Sequence, residues 1–288
     1  MSPLVVIVGE TASGKSALAL ELAERFNGEL ICADSWTVYK GFDIGTAKPT
    51  VEDRRKIPHH LLDVADPAEG FSAVVFQRLA KQAITDIGGR GKLPIMVGGT
   101  GLYIDSVLYD YSFLPPSDPA LRQELNAMEL PALLRRVDEL ELDMDGIDTH
   151  NKRRVIRLIE NNGVRPVKQS LRPHTIVLGL NVPRDELRAR ITERVDAMLT
   201  AGLEQEVCEL ARRYGWETEP MKGIGYREWR THFEGMHDLA ATRERIIKTS
   251  MDLAKRQRTW FKRNDSIQRV SDRSYAVELV TTFLNKKN

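Results

Sequence analysis

A glycine-rich segment near the start of the chain has the residue types and spacing of a phosphate-binding loop. In such a loop, glycines let backbone amides curl around phosphate oxygens, and the helix that follows directs its positive end at them. Lys15 would add a point charge, and the Ser16 hydroxyl would help to hold Mg²⁺. The segment matches the pattern G-x-x-x-x-G-K-[ST] and reads Gly9, Glu10, Thr11, Ala12, Ser13, Gly14, Lys15, Ser16. It therefore predicts a site for a di- or triphosphate.

Two further polar residues follow apolar runs that have the composition of buried strands. Asp34 comes directly after Leu30–Ala33, and Thr100 lies in a glycine-rich turn after Leu93–Val97. Residues at the carboxyl ends of parallel strands line the crevice in which open α/β sheets bind ligands. Asp34 is the one carboxylate predicted at such a strand end, so it either binds a metal or serves as a base. A turn-forming aspartate and a helix-capping threonine are the structural alternatives.

The first hundred residues must supply the elements that hold these groups. Short apolar runs at Leu4–Val8, Leu30–Ala33 and Leu93–Val97 alternate with segments of helical periodicity at residues 16–26 and 76–87. This alternation predicts an α/β fold, in which a parallel sheet carries helices on both faces.

The strand signal stops after Tyr103. A linker at Pro115–Pro119 introduces helical patterns that continue to about residue 163, and Thr175–Leu180 has the composition of a returning strand. We therefore predict a P-loop core formed by residues 1–114 and 173–288, interrupted by an all-helical insertion at residues 115–172.

Composition and charge exclude some classes of protein. Hydrophobic residues make up 42% of the 288 residues, which argues against disorder, and the longest early apolar run is too short to span a membrane. The two cysteines cannot form a disulfide framework, so we expect a cytoplasmic protein. The net charge is only +1, yet residues 150–172 and 243–263 are strongly basic. These stretches indicate either a polyanionic partner or solvated helix faces.

Four blocks, in this order, resemble conserved blocks of the bacterial tRNA dimethylallyltransferases. Asp34–Pro49 resembles the family's pattern D-S-x-Q-V-Y-x-G-x-D-I-G-T-A-K-P. The other three blocks are Pro58–Asp63, Val97–Tyr103 and Gly223–Arg227.

The resemblance implies a prenyl transfer with dimethylallyl diphosphate as donor. The diphosphate would lie in the P-loop, and the exocyclic amine of the adenine just 3′ of the anticodon would attack the allylic carbon. By similarity, Asp34 accepts a proton from that amine and Thr100 hydrogen-bonds it, while Arg194, Lys15, Ser16 and Mg²⁺ stabilise the departing diphosphate. The family also suggests a monomer. The diphosphate-binding residues would be Gly9, Thr11, Ala12, Ser13, Gly14, Lys15 and Ser16.

The basic stretch in the insertion then acquires a role in binding tRNA. Arginines suit both phosphate contacts and stacking on unpaired bases, and spacings of three and four residues place them on one helix face. The tRNA-contacting positions implied by the resemblance are Asp34, Ser35, Trp36, Thr37, Thr100, Arg122, Arg153, Arg154, Arg157, Lys222, Gly223, Ile224, Gly225, Tyr226 and Arg227.

The chain departs from the family pattern in the P-loop and in the block that begins at Asp34. Glu10 replaces the usual proline in the P-loop, and we expect its side chain to point outward. Thr37 replaces the usual glutamine, and the preceding Trp36 either stacks on a nucleobase or packs in the core.

Three other functions stay open at this point. A P-loop kinase for a small metabolite or nucleoside would place ATP in the same cradle. A prenyltransferase acting on free adenine nucleotides would have little use for the arginines of the insertion. An RNA-binding module with a structural phosphate site would not need Asp34.

Overall fold

A computed structural model describes residues 2–115 and 118–286, so Pro116 and Ser117 of the predicted linker lie outside the described residues. The described strands form one parallel sheet in the order β3-β2-β4-β1-β5-β6. Their bounds are β1 Leu4–Val8, β2 Gly28–Ala33, β3 His59–His60, β4 Leu93–Gly98, β5 Thr175–Leu180 and β6 Ile267–Val270.

Helices cover both faces of this sheet, as predicted. The helices of the core are α1 Lys15–Arg25, α2 Val51–Lys56, α3 Ala73–Gly89, α4 Gly101–Leu108, α8 Arg184–Thr200, α9 Leu203–Tyr214, α10 Arg230–Phe233, α11 Leu239–Lys262 and α12 Arg273–Asn285. The chain runs from β1 through α1 to β2 in one direction across the sheet, and returns through α3 to β4. Because such crossovers are right-handed, α1 and α3 lie on opposite faces.

The central strands are buried along their whole length because helices cover them from both sides. Successive side chains of a strand alternate between the two faces. Val5 and Ile7 of β1 accordingly pack against Leu18 and Leu22 of α1, and α12 extends the same apolar cluster through Val280. This packing fixes the carboxyl ends of β1, β2 and β4 side by side.

A second apolar cluster joins the C-terminal helices to the segment that follows β2. Helices α8 and α11 pack against each other. Val195 of α8, Ile246 of α11 and the fully buried Trp229 are all part of this cluster. No helix among residues 2–115 and 118–286 is long and apolar enough to span a membrane.

Residues Tyr109–Ser170 form a separate compact unit. It contains α5 Pro119–Ala127, α6 Leu130–Glu139 and α7 Lys152–Glu160, with an apolar core that includes Leu125, Leu133 and Ile156. The bounds predicted for the insertion, 115 and 172, both lie C-terminal to those of this unit. The start differs because Ser112 pairs with Val167 in an antiparallel bridge, so the unit includes residues before the prolines.

Candidate functional site

A cavity of about 300 Å³ lies at the carboxyl ends of β1, β2 and β4. The P-loop follows β1 and contributes Thr11, Lys15 and Ser16 to its wall, while Asp34 comes from the end of β2. Arg194 reaches the same cavity from α8. The sheet order makes these three strand ends neighbours, so residues far apart in sequence line one cavity.

The conformation of the P-loop depends on its two glycines. Gly14 has φ of 89°, a left-handed conformation that glycine adopts without strain, and α1 begins immediately after it. Gly9 is confined, since a Cβ there would come within 2.8 Å of the Ser13 hydroxyl oxygen. The Ser13 amide donates to the Glu10 carbonyl at 3.2 Å, closing the loop.

Two cationic side chains donate hydrogen bonds to the P-loop. The Lys15 ammonium donates to the Glu10 carbonyl oxygen at 3.1 Å, and the Arg194 guanidinium donates to the Thr11 hydroxyl at 3.3 Å. Burial, together with the positive charge of Arg194, lowers the pKa of Lys15 to about 8. Burial also lowers the pKa of Arg194, although the charge of Asp34 opposes this. Two partly buried cations that face the same loop favour binding of an anion.

The lowered pKa of Lys15 predicts a pH dependence for anion binding. Above pH 8 the lysine loses its proton, so the Kd for inorganic diphosphate should rise with pH, approaching about tenfold per unit between pH 9 and 10. Diphosphate stabilises the charged lysine, so its binding near pH 9 should take up a proton. Isothermal titration calorimetry in two buffers of different ionisation enthalpy measures both quantities. Lys15→Arg stays charged throughout and isolates the titration of the ligand itself; an identical pH profile in that variant would contradict the assignment.

Asp34 and Thr100 come together through Ser35. The Ser35 amide donates to the Thr100 hydroxyl oxygen at 3.0 Å, and that hydroxyl lies 3.3 Å from the Ser35 Oγ. Asp34 accepts from the Trp36 amide at 2.9 Å through one carboxylate oxygen, Oδ1. The charge of Asp34 also acts on both Lys15 and Arg194. A carboxylate therefore lies close to the cationic cradle, as the predicted mechanism requires.

Gln257 is a site residue that the sequence analysis missed. Its Oε1 accepts from the Thr11 amide at 2.7 Å, and its Nε2 donates to the Gly99 carbonyl at 3.1 Å. One amide side chain of α11 thus holds both the P-loop and the turn that carries Thr100. The available signal was helical spacing, because Gln257 falls in line with the buried Ala254 and Phe261.

The expected outward orientation of Glu10 is wrong. The residue is only 2% exposed, and its carboxylate accepts two hydrogen bonds from the Arg258 guanidinium, one of them from Nη2 at 3.0 Å. Burial of an unpaired carboxylate is costly, whereas an arginine that bonds both oxygens compensates it. The side chain therefore turns toward α11 and away from solvent.

The segment that follows Asp34 lines the cavity as well. Trp36 and Thr37 both contribute to the wall, and the Trp36 ring lies against Gly223, where a Cβ would come within 3.1 Å of it. The Thr37 hydroxyl is buried with no hydrogen-bond partner among the described residues. Trp36 therefore packs on the 222–227 block while remaining at the cavity.

The residues of the 222–227 block lie in different environments. Ile224 and Gly225 line the cavity, and Lys222 and Arg227 are exposed. Tyr226 is 1% exposed, and its hydroxyl donates to Glu206 at 2.7 Å, so in this structure it holds the core together.

The arginines of the Tyr109–Ser170 unit also differ in their surroundings. Arg122 and Arg157 both donate to the buried carboxylate of Glu160, and Arg157 also reaches the Leu114 carbonyl. Arg153 and Arg154 are exposed on α7. The predicted tRNA contacts in this unit therefore comprise two arginines that bond Glu160 and two whose side chains are exposed.

The chain is similar to known proteins over nearly its whole length. The family model described as IPP transferase matches residues 37–264, which excludes the P-loop and Asp34. The tRNA dimethylallyltransferase of Roseiflexus sp. (strain RS-1) is 44% identical, with 91% of each chain covered. That of Bacillus subtilis (strain 168) is 39% identical, covering 90% of this chain and 88% of its own.

Two solved structures share the fold. The tRNA isopentenylpyrophosphate transferase of Bacillus halodurans superposes with a TM-score of 0.76 at 36% identity, covering 99% of this chain and 96% of its own. A eukaryotic dimethylallyltransferase acting on tRNA gives a TM-score of 0.82 at 26% identity, covering 100% of this chain and 81% of its own. With the matched family model and the identities above, these similarities show that the chain belongs to the IPP transferase family.

Proposed function

We propose that this enzyme transfers a dimethylallyl group from dimethylallyl diphosphate to the exocyclic amine of the adenosine immediately 3′ of the anticodon in tRNA. The observation that carries the proposal is one cavity in which two partly buried cations, Lys15 of the P-loop and Arg194 of α8, lie beside the Asp34 carboxylate. A phosphate cradle next to a base suits a reaction in which a nucleophile loses a proton while a diphosphate departs.

Asp34 acts as the general base in this proposal. The adenine nitrogen forms a bond to the allylic carbon, the carbon–oxygen bond to the diphosphate breaks, and the proton of the amine passes to the carboxylate. An aromatic amine is a weak nucleophile, so a positioned carboxylate raises its reactivity as the new bond forms. The Trp36 amide fixes one carboxylate oxygen, which leaves the other available for the amine.

The P-loop stabilises the leaving diphosphate. Lys15 and Arg194 supply positive charge from two sides, and the amides that begin α1 add the positive end of the helix. These groups are already in place before the reaction, so little reorganisation is needed as negative charge develops on the diphosphate.

The oxygen atoms in the cavity fit a magnesium ion. The Ser16 hydroxyl and the Asp34 carboxylate both line it, and Mg²⁺ prefers such oxygen ligands together with phosphate oxygens and water. Asp53 also lines the cavity, but its carboxylate caps α2 by accepting from the Thr50 amide at 3.1 Å. Because Asp34 is assigned as the base, Ser16 would be the principal protein ligand, and the ion would neutralise charge on the diphosphate.

The target adenine must leave the anticodon-loop stack to reach the cavity, because chemistry on its amine is sterically blocked within the stack. Trp36 and the buried Thr37 hydroxyl offer a stacking surface and a hydrogen-bonding group at the cavity wall. The family resemblance supports a monomer. Two free cysteines, of which Cys208 is exposed, support a reducing, cytoplasmic setting.

The exposed arginines of α7 should contribute to tRNA binding through phosphate contacts. Replacing Arg153 and Arg154 by alanine should weaken tRNA binding about tenfold at 0.1 M salt and reduce the slope of log Kd against log salt by roughly two. Filter binding across a salt series measures both effects. Arg135→Ala removes an exposed arginine from α6 of the same unit and should cause a smaller change. A double variant with the same Kd for tRNA as the wild type at every salt concentration would show that this surface does not bind tRNA.

Competition by ATP distinguishes this proposal from the kinase alternative. We expect ATP to inhibit weakly when dimethylallyl diphosphate is the varied substrate and diphosphate release is followed, because the cavity would be shaped for a short prenyl donor. Strong competitive inhibition together with ATP consumption would support a kinase and overturn the proposal.

A further inference from the structure

The P-loop of this chain, which is proposed to bind an anion, itself contains a carboxylate. Glu10 is buried, and its own carbonyl oxygen accepts from the Lys15 ammonium. The Lys15 ammonium lies 3.1 Å from the backbone oxygen of Glu10, so the carboxylate of the same residue can compete with a bound diphosphate for this lysine.

Arg258 is placed to remove this competition. It bonds both carboxylate oxygens of Glu10, and its Nη2 also donates to the Val182 carbonyl at 2.8 Å. The backbone contact anchors the guanidinium independently of Glu10. Residue 258 directly follows Gln257, which holds the Thr11 amide, so two consecutive side chains of α11 fix consecutive residues of the P-loop.

We propose that Arg258 is a positioning residue for the diphosphate site, which holds the Glu10 carboxylate and thereby keeps Lys15 available to the diphosphate. Without Arg258, the buried Glu10 carboxylate would lack its partner, and Lys15 of the same loop would be available to pair with it. The inference rests on the proposed diphosphate site, but it concerns binding of the anion and not the transfer step.

Calorimetric binding of inorganic diphosphate with Mg²⁺ to the full chain tests the proposal. Arg258→Ala should weaken the affinity roughly ten- to hundredfold, because Glu10 then pairs with Lys15. Adding Glu10→Gln to that variant should restore the affinity to within about threefold of the wild type. Arg256→Ala, which removes an exposed arginine from the same helix, is the matched control and should bind normally.

The rescue by Glu10→Gln separates this role from a merely structural one. A structural loss in Arg258→Ala would persist in the double variant, whereas a loss caused by the unpaired Glu10 carboxylate would be relieved. Glu10→Gln alone should bind diphosphate at least as tightly as the wild type, and it keeps the proposal testable if Arg258→Ala does not fold.

Several results would overturn the proposal. These are an unchanged affinity in Arg258→Ala, a double variant as weak as the single one, weaker binding by Glu10→Gln, or no diphosphate binding by the wild type. A wild type that binds diphosphate but transfers no prenyl group would contradict the proposed function and leave this inference intact.

Discussion

Asp34→Asn should reduce the single-turnover rate of prenyl transfer by roughly 10²–10⁴, because the variant loses the base that accepts the amine proton. Asparagine keeps an oxygen that can accept from the Trp36 amide, so the loop after β2 should retain its conformation. The Kd for tRNA should therefore stay within about twofold of the wild type. Rapid-quench measurement of the transfer rate and equilibrium tRNA binding give the two values.

Asp53→Asn is the matched control for this variant. Asp53 is a second carboxylate on the same cavity, but it caps α2 through Thr50. Asparagine can still accept from the Thr50 amide but loses the negative charge near the start of α2, so the replacement should lower the free energy of unfolding by about 0.5 kcal/mol and change the transfer rate only slightly. Full transfer activity in Asp34→Asn would show that the base lies elsewhere. Intact cellular function of Asp34→Asn without any detectable transfer would favour the RNA-binding module.

Lys15→Met should lower kcat/KM for dimethylallyl diphosphate by roughly 10²–10³, with a parallel loss of inorganic diphosphate binding. The methionine fills a similar volume but removes the charge that faces the leaving group, and a charge-assisted hydrogen bond in a buried site contributes strongly to binding. Arg194 and the loop amides remain, so some activity should persist. Steady-state kinetics with saturating tRNA, combined with calorimetry of diphosphate binding, measures the effect.

Lys40→Met provides the control, since Lys40 is an exposed lysine shortly after Asp34 and does not line the cavity. It should leave both the donor kinetics and diphosphate binding unchanged. If Lys15→Met still binds diphosphate as tightly as the wild type, the P-loop is not the diphosphate site.

Much of the fold could be predicted because its central strands carry a strong apolar signal. Predicted runs at Leu4–Val8, Leu30–Ala33 and Thr175–Leu180 correspond to β1, β2 and β5. β3 has only two residues and gives no periodicity to detect. β6 was not predicted because it lies at the sheet edge, where the exposed Gln268 and Arg269 interrupt the apolar pattern.

Site residues were predictable where a sequence motif has a fixed local geometry. They were less predictable where tertiary packing determines the orientation and contacts of the side chain. The P-loop and Asp34 followed from spacing relative to strands, and they line one cavity. Spacing could not predict that Glu10 turns inward, because its partner Arg258 is remote in sequence. Gln257 was not predicted either, because its partners are also remote in sequence and it lies within a charged run whose composition resembles a solvated helix face.

Nucleoside mass spectrometry after one incubation tests the central claim most directly. The reaction contains the enzyme, unmodified tRNA, Mg²⁺ and dimethylallyl diphosphate, with free adenosine monophosphate as a competing acceptor. The proposed function predicts one dimethylallyl increment on the adenosine immediately 3′ of the anticodon, and none on the free nucleotide. Modification of adenosine monophosphate in place of tRNA, or of neither acceptor, would contradict it.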